Sequence, residues 1–113
     1  ELSVPFAEKF PHHHRQFCES LSLYHIENDY CFVHAGIRPV IALGEQDIRD
    51  LLYIREEFIC SPEPLPYTII FGHTIFDTPF FQDQRIGIDT GAYASSILTA
   101  VTLQGEDVRF LHT

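Results

Sequence analysis

Two histidines stand at the ends of apolar, strand-like segments, each with a glycine close by. His34 lies in CFVHAG and His73 lies in IIFGHT, 39 residues further along the chain. Neutral imidazole is the commonest metal ligand in proteins, and a neighbouring glycine permits close approach of the backbone. Neighbouring strands of one sheet can present both rings at the same edge, where open sheets bind their ligands. The pattern predicts either a metal-binding pair or two core histidines satisfied by hydrogen bonds.

An arginine interrupts the apolar side of the clearest helical pattern, GEQDIRDLLYIREEFI at 44–59. The apolar positions have helical spacing: Ile48, Leu51, Leu52, Phe58 and Ile59. Arg55 takes the position that continues them, so we expect its guanidinium to face inward. An unpaired buried charge is very costly, so Arg55 either pairs with a carboxylate such as Asp89 or binds an anion. The planar guanidinium suits a phosphate group.

A carboxylate follows a third strand-like segment, in IDTGAY at 88–93. Asp89 could ligate a metal, fix a histidine by a hydrogen bond, or cap the turn that the glycine makes. These three roles remain open from the residues alone.

The elements that must position these residues alternate between helices and strands. A short helix is predicted after Pro11, with the histidines at 12–14 mostly solvated. His25 is predicted to be a surface or packing residue rather than a ligand. LYHIEN and YCFVHA predict a hairpin that turns at Asn28-Asp29. Further strands are predicted in TIIFGHT, in RIGID and on both sides of Gly105. This order predicts an α/β or α+β layered sheet.

Composition and charge narrow the functional classes. The 113 residues suit a single domain, and 45% hydrophobic residues are enough to build a core. The formal net charge of −9 argues against nucleic acid or an anionic membrane as partner, whereas a bound metal could still attract a phosphorylated substrate. Three cysteines without a CxxC motif predict a reduced, cytoplasmic protein. The apolar segments are too short to predict a membrane helix.

Four segments together resemble the carboxyl-terminal half of a calcineurin-like metallophosphoesterase. They are YCFVHAGIRP, LLYIREEF, FGHT and IDTGAY, in this order, and the resemblance spans roughly residues 14–111. The resemblance is to the bacterial serine/threonine protein phosphatases of the phosphoprotein phosphatase type, and the diadenosine tetraphosphatases are a related group. It implies a two-sheet β-sandwich flanked by helices. It also implies a role for five residues: His34 and His73 as ligands of a two-metal centre, Arg55 as a contact to the substrate phosphate, Asp89 in a turn beside the site and Tyr93 near its rim.

The chain also departs from the family. Ile75 replaces the proline that usually follows GHT, and the amino-terminal motifs Gly-Asp-x-His-Gly, Gly-Asp-x-x-Asp-Arg-Gly and Gly-Asn-His-Glu are absent. Residues 1–113 therefore predict a single partial domain, and the absence of methionine agrees with an incomplete chain. We expect it to be inactive alone and to bind at most one of the two divalent ions (Mn, Fe or Zn) of the complete enzyme, and that ion weakly.

The resemblance predicts a metal-dependent phosphoester hydrolase, acting on phosphoproteins or small phosphoesters as a serine/threonine phosphatase. The alternatives are a diadenosine tetraphosphatase-like hydrolase, or a degenerate, non-catalytic phosphatase module used for binding or assembly. Because half of a sandwich exposes an apolar face or an open strand edge, we also expect self-association or pairing with the missing amino-terminal half.

Overall fold

The computed structural model describes residues 8–113, which form short helices around two sheets. The single domain predicted over residues 1–113 includes residues 1–7, which lie outside the described residues. In chain order the elements are α1 (His12–Ser20), β1 (Tyr24–Glu27), β2 (Tyr30–Val33), a 3₁₀ turn (Leu43–Glu45), α2 (Ile48–Tyr53), α3 (Glu56–Ile59), β3 (Thr68–Phe71), β4 (Phe80–Gln82), β5 (Arg85–Gly87), α4 (Ala92–Ser95), β6 (Thr99–Gln104) and β7 (Asp107–His112).

The predicted first helix and hairpin are confirmed. Pro11 occupies the N-cap position of α1, and the histidines at 12–14 are exposed, as is His25 on β1. Strands β1 and β2 pair antiparallel across the turn at Asn28-Asp29, where Asn28 has φ +54°. Asparagine tolerates this left-handed conformation better than most residues, which explains its place in the turn.

The larger sheet has five strands in the order β1-β2-β3-β5-β4. Its three central strands, β2, β3 and β5, are parallel, and the two edge strands are antiparallel to their neighbours. In this register Phe32 lies opposite Ile70, and Ile70 lies opposite Ile86. The predicted mixed α/β fold is therefore confirmed, and the carboxyl ends of three parallel strands lie at one edge of the sheet.

The smaller sheet is a hairpin of β6 and β7 that turns at Gly105, where φ is +60°. Its tip is held to the larger sheet by the Tyr30 hydroxyl, which donates to the Gly105 carbonyl over 2.5 Å. The Phe81 and Phe110 rings, with centroids 6.2 Å apart, make a second contact. The predicted strands on both sides of Gly105 are confirmed, whereas β4 was not predicted from the sequence.

The predicted continuous helix over 44–59 is wrong. The segment forms the 3₁₀ turn and two short helices, α2 and α3, separated at Ile54 and Arg55. Leu51, Ile54 and Phe58 are buried against one face of β2 and β3, but Ile48 is 51% exposed. No helix within residues 8–113 is long and apolar enough to cross a membrane.

Candidate active site at the carboxyl ends of three parallel strands

Each of the three parallel strands is followed by one of the predicted site residues. His34 comes directly after β2, His73 follows β3 after one glycine, and Asp89 follows β5 after one residue. The Gly72 amide donates to the His34 carbonyl over 2.7 Å, which ties the ends of β2 and β3 together beyond their ladder. The parallel order of the strands thus brings three residues that are far apart in sequence to one edge.

The two imidazole rings are close neighbours. The centroids of the His34 and His73 rings are 5.1 Å apart, and the ring planes are inclined by 56°. His34 is exposed and His73 is partly buried. Two imidazoles this close, on a shared edge and open to solvent, can approach one cation together, which two separately satisfied core histidines would not do.

The backbone at His73 adopts a tight turn. His73 has φ +67°, and the Thr74 amide donates to the Gly72 carbonyl over 2.7 Å. A hydrogen bond across one central residue with positive φ is a γ-turn, a sparsely populated and strained conformation. Within the described chain the buried Thr74 Oγ1 has no hydrogen-bond partner. Strain of this kind persists only where the surrounding contacts enforce it, so the orientation of His73 is set by its neighbours.

The surroundings of His73 keep its ring neutral near neutral pH. Burial is the largest cause that lowers its pKa from the usual 6.5, and electrostatic interactions with Arg55 and His34 lower it further. A hydrogen bond to the Tyr53 backbone and the carboxylate of Asp89 oppose this shift. A neutral imidazole retains a lone pair, which is the form that binds metal ions.

Arg55 does not face inward as predicted. It lies in the break between α2 and α3 and is exposed to solvent. It forms no ion pair with Asp89 or with any other carboxylate in the described part of the chain, so that alternative is also wrong. Its charge is nevertheless close enough to lower the pKa of His73. The guanidinium therefore stands beside the histidine pair with its donors available.

The small residues after His34 have a packing role. Ala35 is fully buried, and a Cβ added to Gly36 would lie 2.4 Å from Cδ2 of the Phe58 ring. Gly36 also has φ +149°, a conformation that side chains disfavour. At Gly72 an added Cβ would make ordinary contacts, at 3.6 Å from the His34 carbonyl oxygen. The glycine of VHAG is thus explained by the core beneath it rather than by close approach of a ligand.

Asp89 acts as a turn cap in this structure. Its Oδ1 accepts a hydrogen bond from the Gly91 amide over 3.0 Å, and its Oδ2 lies on the side of Gly72. Within residues 8–113 no three His, Cys, Asp or Glu side chains are grouped so that they could hold a metal ion. Tyr93, on α4, is 89% exposed. The edge therefore presents two imidazoles and the nearby carboxylate of Asp89. One oxygen of this carboxylate already accepts the hydrogen bond from Gly91.

A cavity of about 1010 Å³ opens beside the histidine pair. His34, His73 and Asp89 lie at its wall, and the rest of the lining is largely apolar side chains of residues 18–25, of β2 and β3, and of the segment before β6. The Tyr53 ring, at the end of α2, lies edge-on to the His73 ring, with the two centroids 6.0 Å apart. Sequence reasoning missed Tyr53 because its contact depends on where α2 ends.

No protein-family model matches the chain, and no curated protein has a sequence similar to it. The geometry of this edge is therefore the basis on which a function can be argued.

Proposed function

We propose that the chain is the carboxyl-terminal part of a metal-dependent phosphoester hydrolase, acting as a serine/threonine phosphoprotein phosphatase of the calcineurin-like type. The observation that carries the proposal is the pairing of His34 and His73, with ring centroids 5.1 Å apart at the carboxyl ends of adjacent parallel strands. The four sequence motifs, which converge on the same edge, support it.

The donor set suits part of a two-metal centre. Imidazole nitrogen binds Mn, Fe and Zn ions, and the neutral state of His73 leaves a lone pair for one of them. Two divalent ions need further ligands, usually with a carboxylate between them, and the described residues offer no third grouped donor. When bound, such ions supply a nucleophilic hydroxide and Lewis-acid polarisation of the phosphoryl oxygens. A preceding segment would have to provide the remaining ligands.

Arg55 is the proposed contact to the substrate phosphate. Its guanidinium is exposed, without a carboxylate partner in the described residues, and close enough to His73 to act on its pKa. A planar guanidinium binds phosphoryl oxygens with two parallel hydrogen bonds and offsets their negative charge. Arg55 would thus hold the substrate while the histidines hold the ions.

The remaining surfaces agree with a larger assembly of the same fold. The five-stranded sheet and the β6–β7 hairpin would form part of a two-sheet sandwich. Large apolar side chains remain exposed around the cavity, including Leu21 at 60%, Leu23 at 43% and Leu98 at 64%. We propose that an amino-terminal half covers them, and that residues 1–113 alone self-associate or pair with that half.

A non-catalytic role is the second candidate. The absence of a third grouped donor in residues 8–113 favours it, because such a module would retain the fold without a working metal centre. The two candidates differ in whether the complete gene product turns over substrate.

The deciding experiment compares the complete gene product with three variants in the presence of Mn²⁺. We expect hydrolysis of phosphopeptides, lost in His34→Ala and in His73→Ala but retained in His112→Ala, which removes an exposed histidine on β7. Faster turnover of dinucleoside polyphosphates than of phosphopeptides would instead indicate the diadenosine tetraphosphatase-like activity. No turnover of either substrate class would favour the non-catalytic module.

Residues 1–113 alone provide a second test. We expect at most one weakly bound Mn²⁺ or Zn²⁺ ion by calorimetry, lost in the double variant His34→Ala, His73→Ala, and no hydrolysis above background. Two tight sites on this chain, or metal-dependent turnover by it, would contradict the proposal that it holds only part of the centre.

A further inference from the structure

The hairpin of β6 and β7 has free main-chain edges, because in the described residues each of its strands pairs only with the other. The loop between the strands has two residues, so Gln104 and Asp107 on either side of it exchange hydrogen bonds. Bonded and non-bonded pairs alternate along an antiparallel ladder. The amides and carbonyls of Val101 and Leu103 therefore point away from β7, towards the outer side of β6.

A hydrogen bond at the other end of the hairpin agrees with this alternation. The Thr113 amide donates to the Leu98 carbonyl over 3.1 Å, so this pair is bonded as well. An even number of positions separates Leu98 from Gln104, as a period of two requires. Within residues 8–113, no hydrogen bond reaches the main chain of Val101 or Leu103 from outside the hairpin.

The outer edge of β6 lacks the features that usually keep strand edges from pairing, which are charge, proline and short length. Strand β1 includes Glu27, β7 carries Asp107 and Arg109, and β4 has three residues and follows Pro79. By contrast, β6 is six residues long, and its sequence TAVTLQ has no charge and no proline. Among the edges in the described part of the chain, that of β6 is best suited to accept another strand.

Apolar side chains surround the beginning of β6. Leu98, immediately before the strand, is 64% exposed and lines the cavity together with Leu23, which is 43% exposed, and Phe32 on β2. A strand beside β6 would cover this wall with one face and leave its other face to solvent, next to the exposed residues Ala100 and Thr102. Because side chains alternate between the two faces of a strand, its sequence should alternate between apolar and polar residues.

A second copy of the chain does not suit this edge. The hairpin packs on its own larger sheet, since Phe110 on β7 contacts Phe81 on β4 and the Tyr30 hydroxyl binds the Gly105 carbonyl at the hairpin tip. Residues of β1 and β2 line the cavity next to β6. A copy joined at β6 would bring its own larger sheet into the layer that β1 and β2 occupy, whereas a single extended strand would not.

We propose that one strand of the preceding amino-terminal segment pairs with the outer edge of β6, with its main chain bonded to Val101 and Leu103 and its apolar face over the cavity. The inference rests on the proposed function, which requires such a segment, and it specifies which edge binds the segment and what kind of sequence binds there. Isolated two-stranded hairpins are marginally stable, so a third strand would also stabilise β6 and β7.

Amide hydrogen exchange tests the proposal, because bonded and free amides alternate along β6. In residues 1–113 alone, we expect the amides of Thr102 and Gln104 to be protected and those of Val101 and Leu103 to exchange faster. In the complete gene product, we expect exchange at Val101 and Leu103 to slow about 100-fold, into the range of Thr102. Fast exchange at both positions in the complete gene product would overturn the proposal. Protection of both in a dimer of residues 1–113 would also overturn it, because a second copy would then occupy the edge.

Two proline variants give an independent test. Val101→Pro removes an amide that points outward, whereas Thr102→Pro removes one that binds β7. We expect Val101→Pro to lower the melting temperature of the complete gene product more than that of residues 1–113, and Thr102→Pro to lower both. Equal losses from Val101→Pro in the two proteins would contradict the proposal. If Val101→Pro fails to fold, the exchange rates of the wild-type proteins decide.

The outcomes for this inference and for the proposed function are distinct. A complete gene product with protected Val101 and Leu103 amides that hydrolyses no phosphoester would refute the proposed function and leave the strand pairing in place. A complete gene product that hydrolyses phosphopeptides while both amides exchange fast would refute only the pairing.

Discussion

Two arginines flank the short helix α3, and their surroundings are opposite. Arg85, on β5, is 2% exposed and donates hydrogen bonds to three main-chain carbonyls. Nε binds Phe58 at 2.9 Å, Nη1 binds Asp83 at 2.7 Å and Nη2 binds Ser61 at 3.0 Å. Its guanidinium carbon lies 5.2 Å from the centroid of the Phe58 ring. Burial lowers the pKa of Arg85, so these three contacts are what allow a charge to remain there.

Arg55, immediately before α3, is neither buried nor hydrogen-bonded to main-chain carbonyls in the described residues. It is exposed, it forms no ion pair with the carboxylates of the described residues, and it lies at the histidine edge of the sheet. The difference indicates which cation is structural and which is available. A guanidinium whose donors are bound by the protein's own carbonyls holds the fold together, whereas an exposed one with unused donors can bind an anion.

The strongest test of this comparison is Arg85→Met, which keeps much of the side-chain volume but removes every donor. Three carbonyls lose the hydrogen bonds that the guanidinium donates, so we expect the free energy of unfolding to fall by about 3 kcal/mol. The matched change Arg55→Met should stay within about 0.5 kcal/mol of wild type, as at most exposed sites. Urea denaturation measures both, and equal losses would show that the two arginines do not differ in the way described.

The core beneath the histidine edge is tested by Gly36→Ala. The new Cβ would lie 2.4 Å from the Phe58 ring, at a position where φ is +149°. Because overpacking and an unfavourable φ act together, we expect a loss of about 2 kcal/mol in the free energy of unfolding. Gly44→Ala is the control, since a Cβ there meets nothing within 4 Å and its φ is not positive. A neutral Gly36→Ala would mean that the Phe58 ring can move away from the new methyl group.

The placement of the two histidines could be predicted from the sequence, because it depends on local patterns. Each follows a short apolar run, and parallel strands joined through helices end at a common edge. The hairpin at Asn28 and the turn at Gly105 were predictable for the same reason, since each has a residue that accepts positive φ.

The environment of the two arginines could not be predicted, because it depends on long-range packing. No glycine or proline marks the break at Ile54 and Arg55, and the buried residues Leu51, Ile54 and Phe58 keep helical spacing across it. The hydrophobic periodicity alone therefore predicts a continuous helix in which Arg55 faces inward. Arg85 begins a three-residue strand, and its burial depends on carbonyls more than 20 residues earlier in the chain.

The proposed contact between Arg55 and phosphate is tested by Arg55→Lys in the complete gene product. Lysine keeps the charge but lacks the planar pair of donors, so we expect kcat/KM for a phosphopeptide to fall about 10-fold, which corresponds to about 1.4 kcal/mol. The free energy of unfolding should not change. Arg109→Lys on the β6–β7 hairpin is the matched control and should leave kcat/KM unaltered. A normal rate with lower stability would place Arg55 with Arg85 as a structural residue.

The smallest expected effect concerns the charge of Arg55 alone. Its positive charge disfavours the imidazolium form of His73, and this is the second largest cause, after burial, that lowers the pKa of His73 below 6.5. We therefore expect Arg55→Gln to raise that pKa, though not fully to 6.5 because burial is unchanged. Histidine NMR titration of the metal-free protein in chelating buffer measures it, with Arg109→Gln as a control for the loss of one positive charge far from the ring. A His73 pKa that rises equally in both variants would reflect only the net charge of −9, and Arg55 would no longer be distinguished from any other exposed arginine.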